Sequence, residues 1–112
     1  MEKARKAAMK LLLVEDNPGD ARLLREMLRE HSGRHIEMKH VDCMRAAEHY
    51  LAVSAVDIIL LDPGLPDAQG LAAIQRAHAA APRTALVVLT GLDDDSFAGQ
   101  ALKAGAQHYL IK

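Results

Sequence analysis

Several residue types that carry particular functions are scarce in this chain of 112 residues. There is a single cysteine, so no disulfide can form within the chain, and a reducing cytoplasm is the expected location. Tryptophan is absent and aromatic residues amount to 3%, which disfavours a surface that stacks on nucleobases. Basic residues number 14 against 15 acidic ones, a balance that argues against a nucleic-acid-binding protein. No apolar run approaches the roughly 18 residues of a membrane span, so we expect no membrane segment.

Short apolar segments alternate with segments of helical periodicity along most of the chain. Half of the residues are hydrophobic, which is enough to fill the core of one domain. Asn17 and Pro18 are typical of a helix start, and Pro82 of a helix end. Gly105 fits the position that follows another helix. The predicted strands are 10–15, 36–41, 56–61, 85–89 and 107–111, and predicted helices begin at 18, 44, 70 and near 93–95.

The central apolar segments have no polar face, which is typical of strands buried on both sides. Together with the alternating helices they predict an α/β fold, a doubly wound five-stranded parallel sheet with helices on both faces. All strands of such a sheet end at the same edge, where ligands bind. The chain places polar residues at the predicted strand ends: Glu15, Asp16, Asp62, Thr90 and Lys112.

These residue types together suit phosphoryl chemistry. Carboxylates held close together repel, and a hard divalent cation such as Mg²⁺ relieves that repulsion with oxygen ligands while keeping water positions open for a phosphate. A threonine hydroxyl can donate to a phosphoryl oxygen, and a lysine ammonium is a point-charge partner for phosphate. An aspartate can itself accept a phosphoryl group. Asp62 is the best candidate, because it stands alone after the most central-looking strand.

Four segments resemble the receiver domain of two-component response regulators: 15–17 (EDN), 62–70 (DPGLPDAQG), 90–91 (TG) and 109–112 (YLIK). The resemblance implies a flavodoxin-like sheet of order 2-1-3-4-5. It implies that Asp62 is the phosphoacceptor of a His-to-Asp phosphorelay, and that a sensor histidine kinase or a phosphotransfer protein is the partner. The implied Mg²⁺ ligands are Glu15, Asp16, Asp62 and the backbone carbonyl of Gly64. Thr90 and Lys112 are the implied phosphoryl contacts, and Tyr109 the implied switch aromatic.

The resemblance also predicts the extent of the domain. We expect an N-terminal extension at 1–9 and a receiver domain at 10–112 that stops before the family's fifth helix. The sheet face that this helix covers would then be bare, and a bare apolar patch tends to find a partner. We therefore expect a homodimer or an exchange of segments between two copies.

Two other function classes use similar residues: a docking module and an aspartate-nucleophile phosphatase. A receiver-like domain that works only as a docking module would not need phosphorylation, and the complete set of acids, Thr90 and Lys112 argues against it. An aspartate-nucleophile phosphatase needs a general acid two residues after the nucleophile. That position is Gly64, which has no side chain to act as an acid. We therefore expect a signalling domain and not an enzyme.

Overall fold

The computed structural model describes residues 9–31, 35–90 and 95–111. Five parallel strands form one sheet in the order β2-β1-β3-β4-β5, and helices connect them, which confirms the predicted fold. The elements in chain order are β1 (Met9–Val14), α1 (Pro18–His31), β2 (Ile36–Val41), α2 (Met44–Val53), β3 (Ile58–Leu61), α3 (Gly70–Ala80), β4 (Ala85–Thr90), α4 (Asp95–Lys103) and β5 (His108–Ile111).

The bounds of β1 and β3 differ from the predicted ones by one or two residues. The predicted third strand starts at residue 56, but β3 begins at Ile58. Before it, the Lys10 amide donates to the Asp57 side chain (2.8 Å) and the Asp57 amide donates to the Lys10 carbonyl (2.8 Å). Regular pairing of β1 with β3 starts at Leu11 with Ile58. β1 itself begins at Met9, one residue inside the predicted extension, and residues 1–8 lie outside the described residues.

The sheet buries side chains on both faces. One face packs against α2, α3 and α4, with Leu12, Ile59 and Val88 among its buried strand residues. The other face packs against α1 and includes Leu11 and Leu13. Because successive strand side chains point to opposite sides, the continuous apolar run of β1 supplies both clusters. Each fully buried aliphatic side chain contributes roughly 1.5–3 kcal/mol relative to an exposed one.

The α1 face is less covered than the opposite face. Among the described residues, α1 is the helix whose side chains join the core cluster on this side. A groove of about 440 Å³ remains, lined entirely by apolar side chains of α1 and the sheet, among them Leu24, Met27, Val87 and Leu110. Met27 and Leu110 are 48% and 52% exposed. In the described part of the chain, no helix has the length and apolar character that crossing a membrane requires.

The connection from α4 to β5 depends on a glycine. Gly105 has a φ of 125°, and its amide donates to the carbonyl of Leu102 (3.3 Å) while Ala106 donates to Ala101 (3.1 Å). This pair of hydrogen bonds is a Schellman motif, which closes the helix end predicted from Gly105. A Cβ at Gly105 would stand 2.7 Å from Cγ of His78 on α3. The turn therefore requires a residue with no side chain.

Gly105→Ala should lower the free energy of unfolding by about 1–3 kcal/mol, because it combines an unfavourable φ with a clash against His78. Gly99→Ala is the matched control: it lies inside α4 with no atom within 4 Å of the added Cβ. That substitution should instead stabilise the protein by about 0.5–1 kcal/mol. Urea unfolding of both variants measures the difference. Equal midpoints would contradict this account of the turn.

Candidate functional site

The turn after β1 places two acidic residues at the carboxyl edge of the sheet. The Glu15 amide donates to the Val41 carbonyl of β2 (3.0 Å), which extends the pairing one residue beyond β1. The Glu15 side chain is fully buried, and its Oε2 accepts a hydrogen bond from the Asn17 amide (3.3 Å). Asp16 is exposed. Asn17 Oδ1 in turn accepts from the Asp20 amide (3.0 Å), so the predicted N-cap of α1 is present.

The residue after β3 carries the third carboxylate. Strand β3 lies in the middle of the sheet, and the Asp62 amide donates to the Val14 carbonyl of neighbouring β1 (2.9 Å). This bond fixes the start of the loop beside the β1 turn. The half-buried Asp62 side chain accepts a hydrogen bond from the Gly64 amide through Oδ1 (2.9 Å).

Glu15, Asp16 and Asp62 meet in one cluster. One carboxylate oxygen from each lies within 4.8 Å of the others. The three side chains differ in burial, from fully buried Glu15 through half-buried Asp62 to exposed Asp16. Like charges at this distance repel, most strongly where water is excluded. An all-oxygen donor set that is open to solvent on one side fits a hard divalent cation that keeps bound water.

The loop after Asp62 is closed by its own backbone. Gly64 and Gln69 form an antiparallel bridge, and the Gly70 amide donates to the Pro63 carbonyl (2.8 Å). The side chain of Leu65 is fully buried in the core, which anchors the middle of the loop. Gly64, whose carbonyl is a predicted cation ligand, therefore lies in a compact loop, two residues after Asp62 in the chain.

An aspartate that the sequence analysis did not single out ties this loop to α2. The Asp67 carboxylate accepts hydrogen bonds from the amides of Met44 and Arg45, both 2.8 Å, at the first turn of α2. The guanidinium of Arg76 donates to the Asp67 carbonyl (3.1 Å) and binds both carboxylate oxygens of Glu48 (3.0 and 2.6 Å). Except for Arg76 with Asp67, these partners lie 22 or more residues from each other in the chain. No local sequence motif therefore indicates these contacts.

This network shifts the ionisation of its members. The Arg76 hydrogen bond lowers the pKa of Glu48 against the opposing effect of burial. For Asp67, desolvation pushes the pKa up, but hydrogen bonds from the two α2 amides and its own amide, together with the charge of Arg76, hold the pKa below its usual value. Hydrogen bonds that favour a charged carboxylate produce such a shift. The charged form of Asp67 therefore stabilises the folded state.

The remaining predicted site residues are on β4 and β5. Thr90 is the last residue of β4, the strand next to β3, and its side chain lies outside the described part of the structure. Tyr109 pairs with Val88 and is 36% exposed. Lys112 lies outside the described residues. The structure thus brings Glu15, Asp16 and Asp62 together and describes only the backbone position of Thr90.

A family model for the response regulator receiver domain matches residues 11–112. The chain belongs to this family. The match covers almost the whole sequence, so the receiver fold and the edge that carries the three acids both lie inside it. Response regulators are components of two-component signalling, which confirms the family predicted from the four sequence segments.

Curated relatives of this receiver domain are longer response regulators. The chain is 34% identical over 104 residues to the response regulator protein PilR of Pseudomonas aeruginosa. It is 33% identical over 107 residues to the virulence transcriptional regulatory protein PhoP of Salmonella typhimurium. These alignments cover 92% and 93% of the chain but 22% of PilR and 45% of PhoP. The chain therefore spans less than half the length of either relative.

Solved receiver structures share the fold. The phosphorylated cyanobacterial phytochrome response regulator RcpA is 29% identical, with a TM-score of 0.82 over 95% of this chain and 81% of that chain. The receiver domain of the sensor histidine kinase PA1611 from Pseudomonas aeruginosa is also 29% identical, with a TM-score of 0.78 over 95% and 86%. The PA1611 domain has a magnesium ion coordinated in its active-site cleft.

Asp67→Ala should cost about 1 kcal/mol of folding stability at pH 7, because it removes the acceptor for two amides of α2. The lowered pKa of Asp67 fixes the pH dependence. The contribution is complete above the usual aspartate pKa of about 3.9 and is lost as the pH falls through the lower folded-state value. Urea unfolding of wild type and variant between pH 7 and pH 3 should show the two curves converging at low pH. A loss that stayed constant over this range would contradict a charge-dependent contact.

Proposed function

We propose that this receiver domain accepts a phosphoryl group on Asp62 in a Mg²⁺-dependent reaction and thereby switches an output surface. The clustering of Asp62 with Glu15 and Asp16, one carboxylate oxygen from each within 4.8 Å of the others, is the observation that supports the proposal. The proposed donor is a phosphohistidine on a sensor histidine kinase or a phosphotransfer protein. The phosphorylated state of RcpA, a structure of the same fold, agrees with this proposal.

The proposed chemistry is a phosphoryl transfer between side chains. A carboxylate oxygen of Asp62 attacks phosphorus, the P–N bond of the phosphohistidine breaks, and the electron pair of that bond stays on the imidazole, which takes up a proton. The product is an aspartyl phosphate. The backbone bond from the Asp62 amide to the Val14 carbonyl orients the nucleophile (2.9 Å), and the Gly64 amide contacts its Oδ1 (2.9 Å). Mg²⁺ would supply positive charge against the carboxylates and the phosphoryl oxygens.

We assign the cation ligands to Glu15, Asp16, Asp62 and the Gly64 carbonyl. The exposed Asp16 and half-buried Asp62 offer oxygens on the solvent side, while buried Glu15 lies beneath them. The magnesium ion in the cleft of the PA1611 receiver domain supports Mg²⁺ as the cation.

We assign the contacts to the phosphoryl group to the Thr90 hydroxyl and the Lys112 ammonium, and the conformational switch to Tyr109. Thr90 ends the strand beside β3, and Tyr109 lies on the next strand outward. A phosphoryl group contacted by Thr90 would draw the end of β4 toward Asp62. Such local changes in charge bias a segment that has two arrangements, which is how receivers signal.

We also propose that the domain lies in the cytoplasm and contacts proteins. The balanced charge of the chain supports a domain that contacts proteins and makes no direct contact with nucleic acid. Its single cysteine agrees with the cytoplasm, where phosphohistidine donors are available. The docking-module alternative differs from the proposal in one respect, because it requires no phosphorylation of Asp62.

Asp62→Asn should abolish the phosphate-sized mass increase that acetyl phosphate with MgCl₂ produces on the wild-type protein, because an amide is a poor nucleophile. Asp42→Asn, which changes an exposed acid outside the cluster, is the control and should keep the increase. Intact-protein mass spectrometry makes the measurement. A mass increase that survives in Asp62→Asn would assign the phosphoacceptor elsewhere, and no increase in wild type, together with no beryllofluoride binding, would favour the docking module.

We also propose that the open apolar groove beside α1 binds a second copy of this chain. The groove is lined by α1 and the sheet, and Leu110 and Met27 remain about half exposed at it. Burying such surface in a dimer removes apolar area from water. A homodimer, with or without exchange of segments, would cover the groove on both copies.

Leu110→Lys should shift the protein toward monomer, because it places a charge at the groove. Val53→Lys is the control, since Val53 is 83% exposed on α2 and does not line the groove. Light scattering over a series of protein concentrations measures the association. A wild-type protein that stays monomeric at every concentration would rule out the proposed dimer.

A further inference from the structure

His40 makes a contact with the acidic turn that the proposed reaction does not use. Its ring Nε2 lies 2.7 Å from the backbone carbonyl oxygen of Glu15, across 25 residues of sequence. A carbonyl oxygen can only accept, so Nε2 must carry the hydrogen and donate. His40 is half-buried at the carboxyl end of β2.

The position of His40 in its strand is unusual for a polar residue. Ile36 and Met38 precede it at alternate positions and pack into the core cluster on the α1 face. With a period of two, the His40 side chain points to the same face. An apolar residue would continue this pattern. His40 instead carries a hydrogen-bond donor, and the hydrogen bond to the Glu15 carbonyl explains why a donor is placed there.

The peptide that His40 contacts joins two members of the acidic cluster. Because a peptide unit is planar, fixing the Glu15 carbonyl oxygen also fixes the direction of the Asp16 amide and Cα. The Glu15 amide is held separately by the Val41 carbonyl (3.0 Å). Two neighbouring residues of β2 therefore hold both backbone polar groups of Glu15.

From this geometry we infer that His40 is a positioning residue of the cation site. It fixes the peptide between Glu15 and Asp16 and so holds their carboxylates near Asp62 against mutual repulsion. The inference rests on the proposed function, since it assumes that the cluster binds Mg²⁺. Groups that orient metal ligands in this way typically change metal affinity by about 10–100-fold when they are removed.

The test compares Mg²⁺ affinity in four forms of the full chain: wild type, His40→Leu, His40→Gln and His49→Leu. Titration with MgCl₂, followed by the amide resonances of the β1 turn, gives the dissociation constant of each. His40→Leu should raise it about tenfold. His40→Gln carries an amide nitrogen at the same distance along its side chain and should restore most of the affinity. His49→Leu changes an exposed histidine on α2 and should have no effect.

A spectroscopic measurement on the metal-free protein tests the contact itself. The ¹⁵N shift of the Asp16 amide, which shares a peptide with the Glu15 carbonyl, should change in His40→Leu and stay unchanged in His49→Leu. The wild-type His40 ring should carry its hydrogen on Nε2 in long-range ¹H–¹⁵N spectra. The ring spectrum needs no variant, so it still tests the contact if His40→Leu does not fold.

Three results would overturn the inference and leave the proposed cation site standing. Equal dissociation constants for wild type and a folded His40→Leu would overturn the inference. A wild-type His40 ring without hydrogen on Nε2 would also overturn it. A His40→Gln protein as weak as His40→Leu would show that the ring shape matters and not the donor. A wild-type protein that binds no Mg²⁺ would instead remove the proposed cation site, and this inference with it.

Discussion

Repulsion among three carboxylates is the constraint that the rest of this structure has to withstand. Direct pairing of β1 with β3 brings the residues that follow both strands to one edge, with Val14 opposite Leu61. One oxygen each of Glu15, Asp16 and Asp62 then lies within 4.8 Å of the others. Such an arrangement is unfavourable in the absence of a cation, and most so for buried Glu15. β1 and β3, whose side chains are buried on both faces of the sheet, fix the residues that follow them at this edge.

The two loops that carry the acids are tied to two consecutive elements, β2 and α2. The β1 turn is held by β2, through the Val41 carbonyl and the His40 ring. The β3 loop is held by the first turn of α2, through the Asp67 carboxylate. The β2–α2 segment thus acts as a common support for both sides of the cluster. A site built on such fixed backbone keeps its geometry better than one on free loops.

The two faces of the sheet have different surroundings. Three helices pack on one face, and its core cluster includes Leu65, which anchors the loop after Asp62. The other face has α1 and an open apolar groove in the described residues. Leu65 therefore joins the loop after Asp62 to the well-packed face, while the α1 face has exposed apolar surface.

Sequence alone was sufficient for the fold class, because an uninterrupted apolar segment such as β1 has to be buried on both faces of a parallel sheet. It was also sufficient to place the acids at one edge, since all parallel strands end there. The family's motifs, and not periodicity, supplied the strand order, which the structure confirms. The roles of Asp62 as phosphoacceptor, of the cation ligands, and of Thr90, Lys112 and Tyr109 stay predictions.

Tertiary structure decided what depends on contacts between distant residues. Adjacent Glu15 and Asp16 look equivalent in the sequence, yet Glu15 is fully buried and its amide pairs with the Val41 carbonyl, while Asp16 is exposed. Asp67 and His40 each gain their partners 22 to 25 residues away. Local patterns report which face a residue occupies, but hydrogen bonds across that distance exist only after the strands and helices have packed.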